Sequence, residues 1–314
     1  MSPGLQRLLL FAAVALLVGV DAQAGQSSVP VNTSAAASTS ADATGTLPEV
    51  TIRAQRADLA PRISKFVNQI AVPENGGVGG LVLWATPPVC PLVSGLPHSE
   101  GEFILERVSE VARLAKVPLA GEHCRPNLYI LVSLKPEDLL RGMEKRNRSF
   151  TFGQDVTDST PSPTPASVVD EFITTPRAVR VWYNSVFRTP EGLPPSICYG
   201  HPCNPNSLGS LVRLDLVRTI STVFVVVDQR RLTGVSRGQL ADYVGMVGLA
   251  KLRPGARLGD AQTILKLFDG APQAAPTALT EWDQAFLKSL YATEQASRQQ
   301  RGEIALQMVR EIVP

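Results

Sequence analysis

Val223-Phe224-Val225-Val226-Val227 is the most hydrophobic stretch of the chain downstream of residue 24. Its five apolar residues leave no polar side to turn toward water and four of them are β-branched, so the run predicts a strand at the centre of a sheet, covered on both faces. Leu128-Tyr129-Ile130-Leu131-Val132 reads the same way. Ala178-Val179-Arg180-Val181-Trp182-Tyr183 and Leu81-Val82-Leu83-Trp84 read as further strands. Beyond Asp228 helical spacing takes over, at about 236–252, 260–267, 281–292 and 296–312. Upstream helices are predicted through Ile63, Phe66, Val67 and Ile70, and over 101–115 with Phe103, Ile104, Val108, Val111, Ala112 and Leu114 as the apolar face. Another opens at Lys135-Pro136-Glu137-Asp138, where proline and acids suit a first turn. Strands first and helices last predict an α+β fold, a mixed sheet with helices and a helical C-terminal portion, rather than a doubly wound sheet.

The 314-residue chain is 44% hydrophobic with a mean hydropathy of +0.06, enough to bury at least one large core in one or two domains. Its 30 basic and 28 acidic residues leave a net charge of +2, no excess with which to hold a polyanion, so nucleic acid is not an expected partner. Arg7 precedes an apolar run from Leu8 to Val20, shorter than the about 20 residues of a bilayer span, and Ala22-Gln23-Ala24 forms a small-x-small site. Residues 1–24 therefore read as a signal peptide cut before Gly25, which predicts a periplasmic or secreted protein with no membrane span after cleavage. Residues 25–48, rich in Ser, Ala and Thr, read as a flexible tether, 49–270 as the α+β core and 271–314 as a helical portion packed on it. Within that core, Pro48-Glu49-Val50-Thr51-Ile52-Arg53-Ala54-Gln55-Arg56 alternates as a short edge strand and resembles the TonB-box segment of outer-membrane receptors. Glu74-Asn75-Gly76-Gly77-Val78-Gly79-Gly80 lacks the Lys-Ser/Thr pair of a phosphate-binding loop and reads as a hinge, and the proline-rich run between 155 and 167 as an extended loop or linker.

Four cysteines, an even count in an oxidising compartment, predict two disulfides. Of the three pairings possible, Cys198–Cys203 encloses the turn-rich Tyr199-Gly200-His201-Pro202, and Cys90–Cys124 ties together two segments that flank one predicted helix. A zinc site from Cys198, His201 and Cys203 competes with the first of these, although it is one ligand short.

Gly234-Val235-Ser236-Arg237-Gly238 is a literal G-x-S-x-G between a predicted strand and a predicted helix. In an α/β-hydrolase the catalytic His follows the nucleophile, whereas His98, His123 and His201 all precede Ser236. Ser236 with Gln239 three residues on is better read as a capping box, with Ser236 as nucleophile the alternative. The helix that starts there, Leu240-Ala241-Asp242-Tyr243-Val244-Gly245-Met246-Val247-Gly248-Leu249, resembles the active-site helix of zincin-type metallopeptidases, where H-E-x-x-H is followed by an apolar stretch ending in Gly-Leu. Leu279-Thr280-Glu281-Trp282-Asp283 and the residues through Tyr291 are similar to a segment of uncharacterised secreted proteobacterial proteins, a family remotely similar to zincins that keeps only part of the catalytic apparatus. Carried over, the zinc-binding histidines fall on Ala241 and Gly245 and the general base on Asp242, so the resemblance implies no bound metal. No cofactor and no catalytic residue are expected, and Gln239, Asp242 and Tyr243 are the candidate cleft residues. The expected function is non-catalytic binding of a protein, peptide or envelope component by a degenerate zincin-like fold. The alternative is a secreted hydrolase, dependent on Ser236 or on a metal.

Overall fold

Strand-forming and helix-forming runs alternate through the first half of the chain, and helices dominate the second. The structure is a computed structural model that describes residues 46–72, 81–155, 162–199, 201–207 and 209–314. In order, the elements are α1 (Thr46–Ile70), β1 (Pro91–Ser94), α2 (His98–Leu114), β2 (Leu128–Ser133), α3 (Pro136–Phe152), β3 (Gln154–Asp155), β4 (Ser162–Pro163) and α4 (Ala166–Thr174). There follow β5 (Val179–Arg188), β6 (Ser196–Cys198), β7 (His201–Cys203), β8 (Val217–Asp228), α5 (Arg237–Leu249), α6 (Glu281–Ala292) and α7 (Gln300–Ile312). Residues 45–314 form one compact unit, so the helices of 271–314 belong to the same body as the strands. The segments read as a signal peptide and a Gly-rich hinge, and most of that read as a tether, lie outside the described residues.

The apolar run that ends at Val227 lies inside the sheet, as its composition requires. The order is β1-β2-β8-β5, with β1, β2 and β8 parallel and β5 antiparallel to β8 at the edge. Alternation sends Val223, Val225 and Val227 into the larger core, together with Leu128, Ile130 and Val132 and the inner faces of α1, α2, α5, α6 and α7. Val226 points the other way, into a smaller core with Leu140 and Phe152 of α3 and Val169 and Ile173 of α4. Both sheet faces are thus covered, and the fold is α+β with a mixed sheet. At the end of β1, Gly95 takes φ +91°, and a Cβ there would lie 1.9 Å from the Val132 carbonyl oxygen, so only glycine fits.

Three expectations are corrected. Residues 48–56 form no edge strand: they are the first turns of α1, which starts at Thr46, inside the segment read as tether, and runs through Pro61. Long-range packing decides it, since Leu59, Ile63 and Phe66 are buried and Arg56 Nε donates to the Val313 carbonyl beyond α7 at 2.9 Å. Residues 81–84 are buried, but Leu83 makes only isolated bridges, to Thr219 and Ala250. Residues 260–267 give a short 3-10 turn, Ile264–Phe268, in place of a helix.

The C-terminal end of α5 is buried, where its last carbonyls lack helical partners. Aromatic donors satisfy them. Trp84 Nε1 donates to the Gly248 carbonyl at 2.9 Å, Tyr291 Oη to that of Leu249, and Tyr183 Oη to those of Val247 at 2.6 Å and Ala250 at 3.0 Å. Side chains from β5, α6 and the segment before β1 therefore close one helix end.

Candidate functional site

The helix α5 starts at Ser236, whose Oγ accepts from the Gln239 N–H at 3.1 Å, while Gln239 Oε1 accepts from the Ser236 N–H at 3.1 Å. This is a complete capping box. Among the described residues, no histidine is hydrogen-bonded to Ser236, and β8 ends eight positions earlier with a 3-10 turn between, so the strand-to-helix elbow that a serine nucleophile needs is not formed.

Gln239, Asp242 and Tyr243 are brought together, but they face the chain itself. Gln239 Nε2 donates to the carbonyls of Pro272 and Pro276 at 3.1 and 3.0 Å. Asp242 is buried, and its Oδ2 accepts from the Leu279 N–H at 2.8 Å. The Tyr243 ring meets Phe268 edge-on at 4.9 Å, and burial pushes its hydroxyl pKa up to about 12. All three clamp the segment between the 3-10 turn and α6 onto α5, so the seam they line is already filled.

Asp242 has a second partner, which the sequence did not single out. Arg107 of α2 reaches it through Nε at 2.5 Å and Nη2 at 3.3 Å, and also binds Glu110 at 2.8 Å. The hydrogen bond to Asp242 is the main cause holding the Arg107 guanidinium above its ordinary pKa. Nothing in the spacing of residues 101–115 marked Arg107 apart from the other polar positions of that helix. The positions that match zincin ligands are packed as well: Ala241 is buried, and a Cβ on Gly245 would touch Val111 of α2 at 3.5 Å.

The resembling segment at 279–283 has a structural role. Thr280 caps α6 and Asp283 completes its capping box. The Asp283 carboxylate also accepts from the Thr263 hydroxyl at 2.5 Å and the Ile264 N–H at 2.8 Å, so one buried acid closes two helical N-termini. Burial raises its pKa against the pull of these donors.

Both expected disulfides form, Cys90–Cys124 with Cα atoms 6.0 Å apart and Cys198–Cys203 with 5.7 Å. The sulfurs of Cys198 and Cys203 are bonded to each other, which overturns the competing zinc site with His201. Among the described residues, no group of three or more His, Cys, Asp or Glu side chains is placed to hold a metal ion, and no helix is long and apolar enough to cross a membrane.

Two surfaces remain open. β5 is a ten-residue edge strand, and among the described residues no strand pairs with its outer side. Beyond it, the disulfide-closed hairpin β6–β7 pairs with no other strand among the described residues, and a polar cavity of about 270 Å³ opens between Pro190-Glu191 and a wall that includes Asn204, Ser207, Arg213 and Asp215. No family model, curated protein or solved structure matches the chain.

Proposed function

We propose that this chain is an exported, non-catalytic binding protein, its α5 a relic of the zincin-type metal-binding helix, and that it captures an extended segment of an envelope protein or peptide as an added strand on β5. The open edge of β5 carries this reading. The Ala178 carbonyl accepts from the Asp228 N–H at 2.8 Å. In an antiparallel ladder the N–H and C=O of one residue point to the same side and alternate along the strand. Residues 178, 180 and 182 therefore face β8, and Val179, Val181 and Tyr183 present their backbone groups outward. Such an edge is a template for another strand. Export is supported by the two disulfides and by the apolar run and small-x-small site at the N-terminus. The non-catalytic reading is supported by how the α5 positions are used: Ala241 and Gly245 pack in the core, and Asp242 is taken by Arg107 and Leu279.

Peptides selected from a random library for binding to the protein should slow hydrogen exchange at the amides of Val181 and Tyr183. Val181→Pro removes one outward N–H and should abolish that capture, with thermal unfolding of the variant measured alongside to separate loss of binding from loss of fold. Chelator-sensitive cleavage of the library would sink the non-catalytic half of the proposal. Capture undiminished by Val181→Pro would sink the edge.

A further inference from the structure

Residues 172–190 contain three arginines and no Asp or Glu, and β5 runs through them. The arginines differ in what holds them. Arg180 is buried and its Nη2 donates to Glu137 at 2.6 Å. Arg177, just before the strand, is exposed and shares the neighbourhood of Tyr243 with Asp269. Arg188, the last residue of the strand, has no carboxylate partner among the described residues, and the next acid along the chain, Glu191, lies 3.9 Å from Arg213.

The ladder fixes where Arg188 stands on the open edge. Beyond Tyr183 the register shifts: Asn184 pairs with Thr222 and Ser185 with Ile220, so the extra residue, Ser221, is on β8 and the alternation along β5 is unbroken. The Ile220 N–H donates to the Leu83 carbonyl at 2.9 Å, and Leu83 bridges Thr219 on the side of β8 away from β5. The Arg218 carbonyl accepts from Gln295 Nε2 at 2.6 Å on that same side. In an antiparallel pair both partners turn their backbone groups toward each other or both turn them away. Ser185 and Phe187, the partners of Ile220 and Arg218, therefore face outward as Val179, Val181 and Tyr183 do. Arg188 Nη1 donates to this outward Phe187 carbonyl at 2.9 Å, which puts the guanidinium on the open edge itself. Past it the chain turns back, with the Thr189 N–H on the Leu193 carbonyl at 2.9 Å, and the edge ends.

We infer that Arg188 reads a carboxylate: the segment captured on β5 carries an acidic group at the end that lies beside this residue. The inference rests on strand capture at β5 and names the chemistry that the edge selects. An added strand finds open backbone partners at Val179, Val181, Tyr183 and Ser185, and then meets a cation in place of the Phe187 carbonyl. A guanidinium is a planar fork of donors that matches a carboxylate. A neutral or basic end would leave that cation covered and unpaired, so the arginine rejects as well as attracts. The carboxylate has two sources. An Asp or Glu side chain serves in either strand direction. A chain's own C-terminus reaches Arg188 only when the added strand runs parallel to β5, because an antiparallel strand brings its N-terminal end there.

The test uses the full chain and two random peptide libraries, one with free C-termini and one amidated, and reads capture as slowed hydrogen exchange at Val181 and Tyr183. From the amidated library, captured peptides should carry Asp or Glu at one end. Replacing that acid by Asn or Gln should weaken binding about fivefold or more on the protein and less than about twofold on Arg188→Gln, and salt should narrow the difference. Binders from the free library that lack the acid and lose affinity on amidation assign the carboxylate to the chain end. Arg188→Gln alters a half-buried side chain, so its unfolding midpoint is measured alongside, and Arg188→Lys, which keeps the charge, should retain part of the preference. Captured peptides with no acidic bias, or acidic and neutral peptides weakened alike by Arg188→Gln, overturn the inference while strand capture stands. Peptides that bind and leave Val181 and Tyr183 unprotected sink strand capture itself, and this inference with it.

Discussion

Asp242 joins three parts of the fold through one carboxylate: its own helix α5, Arg107 of α2, and the N–H of Leu279 at the entrance to α6. Its truncation to alanine leaves the Leu279 amide buried without a partner and Arg107 without its main acceptor. Asp242→Ala is therefore expected to lower the unfolding free energy by about 2–4 kcal/mol, measured by urea denaturation. Ser236→Ala should cost only about 0.5–2 kcal/mol, the price of a helix cap, and leave peptide capture intact. A nucleophile would instead lose an activity by orders of magnitude with stability unchanged. Two other buried acids titrate in opposite directions. The Arg230 side chain donates to Asp228 at 2.9 Å and lowers its pKa from 3.8, so the stability it confers is present above that pH and is lost as pH falls through the folded value. Burial raises the pKa of Asp283 from the same 3.8, so its contribution is complete below that pH and declines as pH rises through the folded value. Carboxyl-carbon NMR should find Asp228 titrating below 3.8 and Asp283 above it, and the reverse order would show that burial and donors are misassigned. The Ser236–Gln239 box could be read in the sequence because a cap is local. The Arg107–Asp242 pair could not, because its members are 135 positions apart.

At the scale of elements, α5 shows why local signals reach only part of a fold. Its start is written in four consecutive residues, but its end is closed by Tyr183, Trp84 and Tyr291, from three distant segments. Tyr183→Phe deletes one hydroxyl that serves two carbonyls, and burial holds that hydroxyl well above its ordinary pKa. The change should cost about 1–3 kcal/mol and speed hydrogen exchange in the last turn of α5. Tyr291→Phe serves the same turn, so the double variant should depart from additivity, which a double-mutant cycle measures. The central strands were legible as unbroken apolar runs, and most helices because their apolar residues carry a period of their own. α1 was not: Val50-Thr51-Ile52 alternates locally and Pro61 argues against a helix interior, yet the burial of Leu59, Ile63 and Phe66 overrides both. The 3-10 turn at Ile264–Phe268 replaced a predicted helix because Thr263 and Asp283 cap it after a single short run and Gly270 and Pro272 follow.

Over the whole molecule, the two disulfides act at different ranges. Cys90–Cys124 spans 34 positions, enclosing β1 and α2, and Cys90 is buried among the bonds that set β1 beside β2. Its amide donates to Asn127 Oδ1 at 2.7 Å, and its carbonyl accepts from the amides of Asn127 at 3.0 Å and Leu128 at 3.2 Å. Cys198–Cys203 spans 5 positions and closes a hairpin whose strands pair with no other strand among the described residues. If a cross-link stabilises by restricting the unfolded chain, the longer loop contributes about 4 kcal/mol and the shorter about 2 kcal/mol. The second figure applies to global unfolding only if the hairpin unfolds together with the core. Ile197 and Tyr199 are exposed and the hairpin has no other ladder among the described residues, so it should open on its own. Replacing Cys90 and Cys124 with alanine is thus expected to lower the urea midpoint of the whole protein. Replacing Cys198 and Cys203 should leave that midpoint nearly unchanged while hydrogen exchange accelerates in residues 196–203. An equal loss from both pairs would mean that the hairpin unfolds together with the sheet rather than by itself.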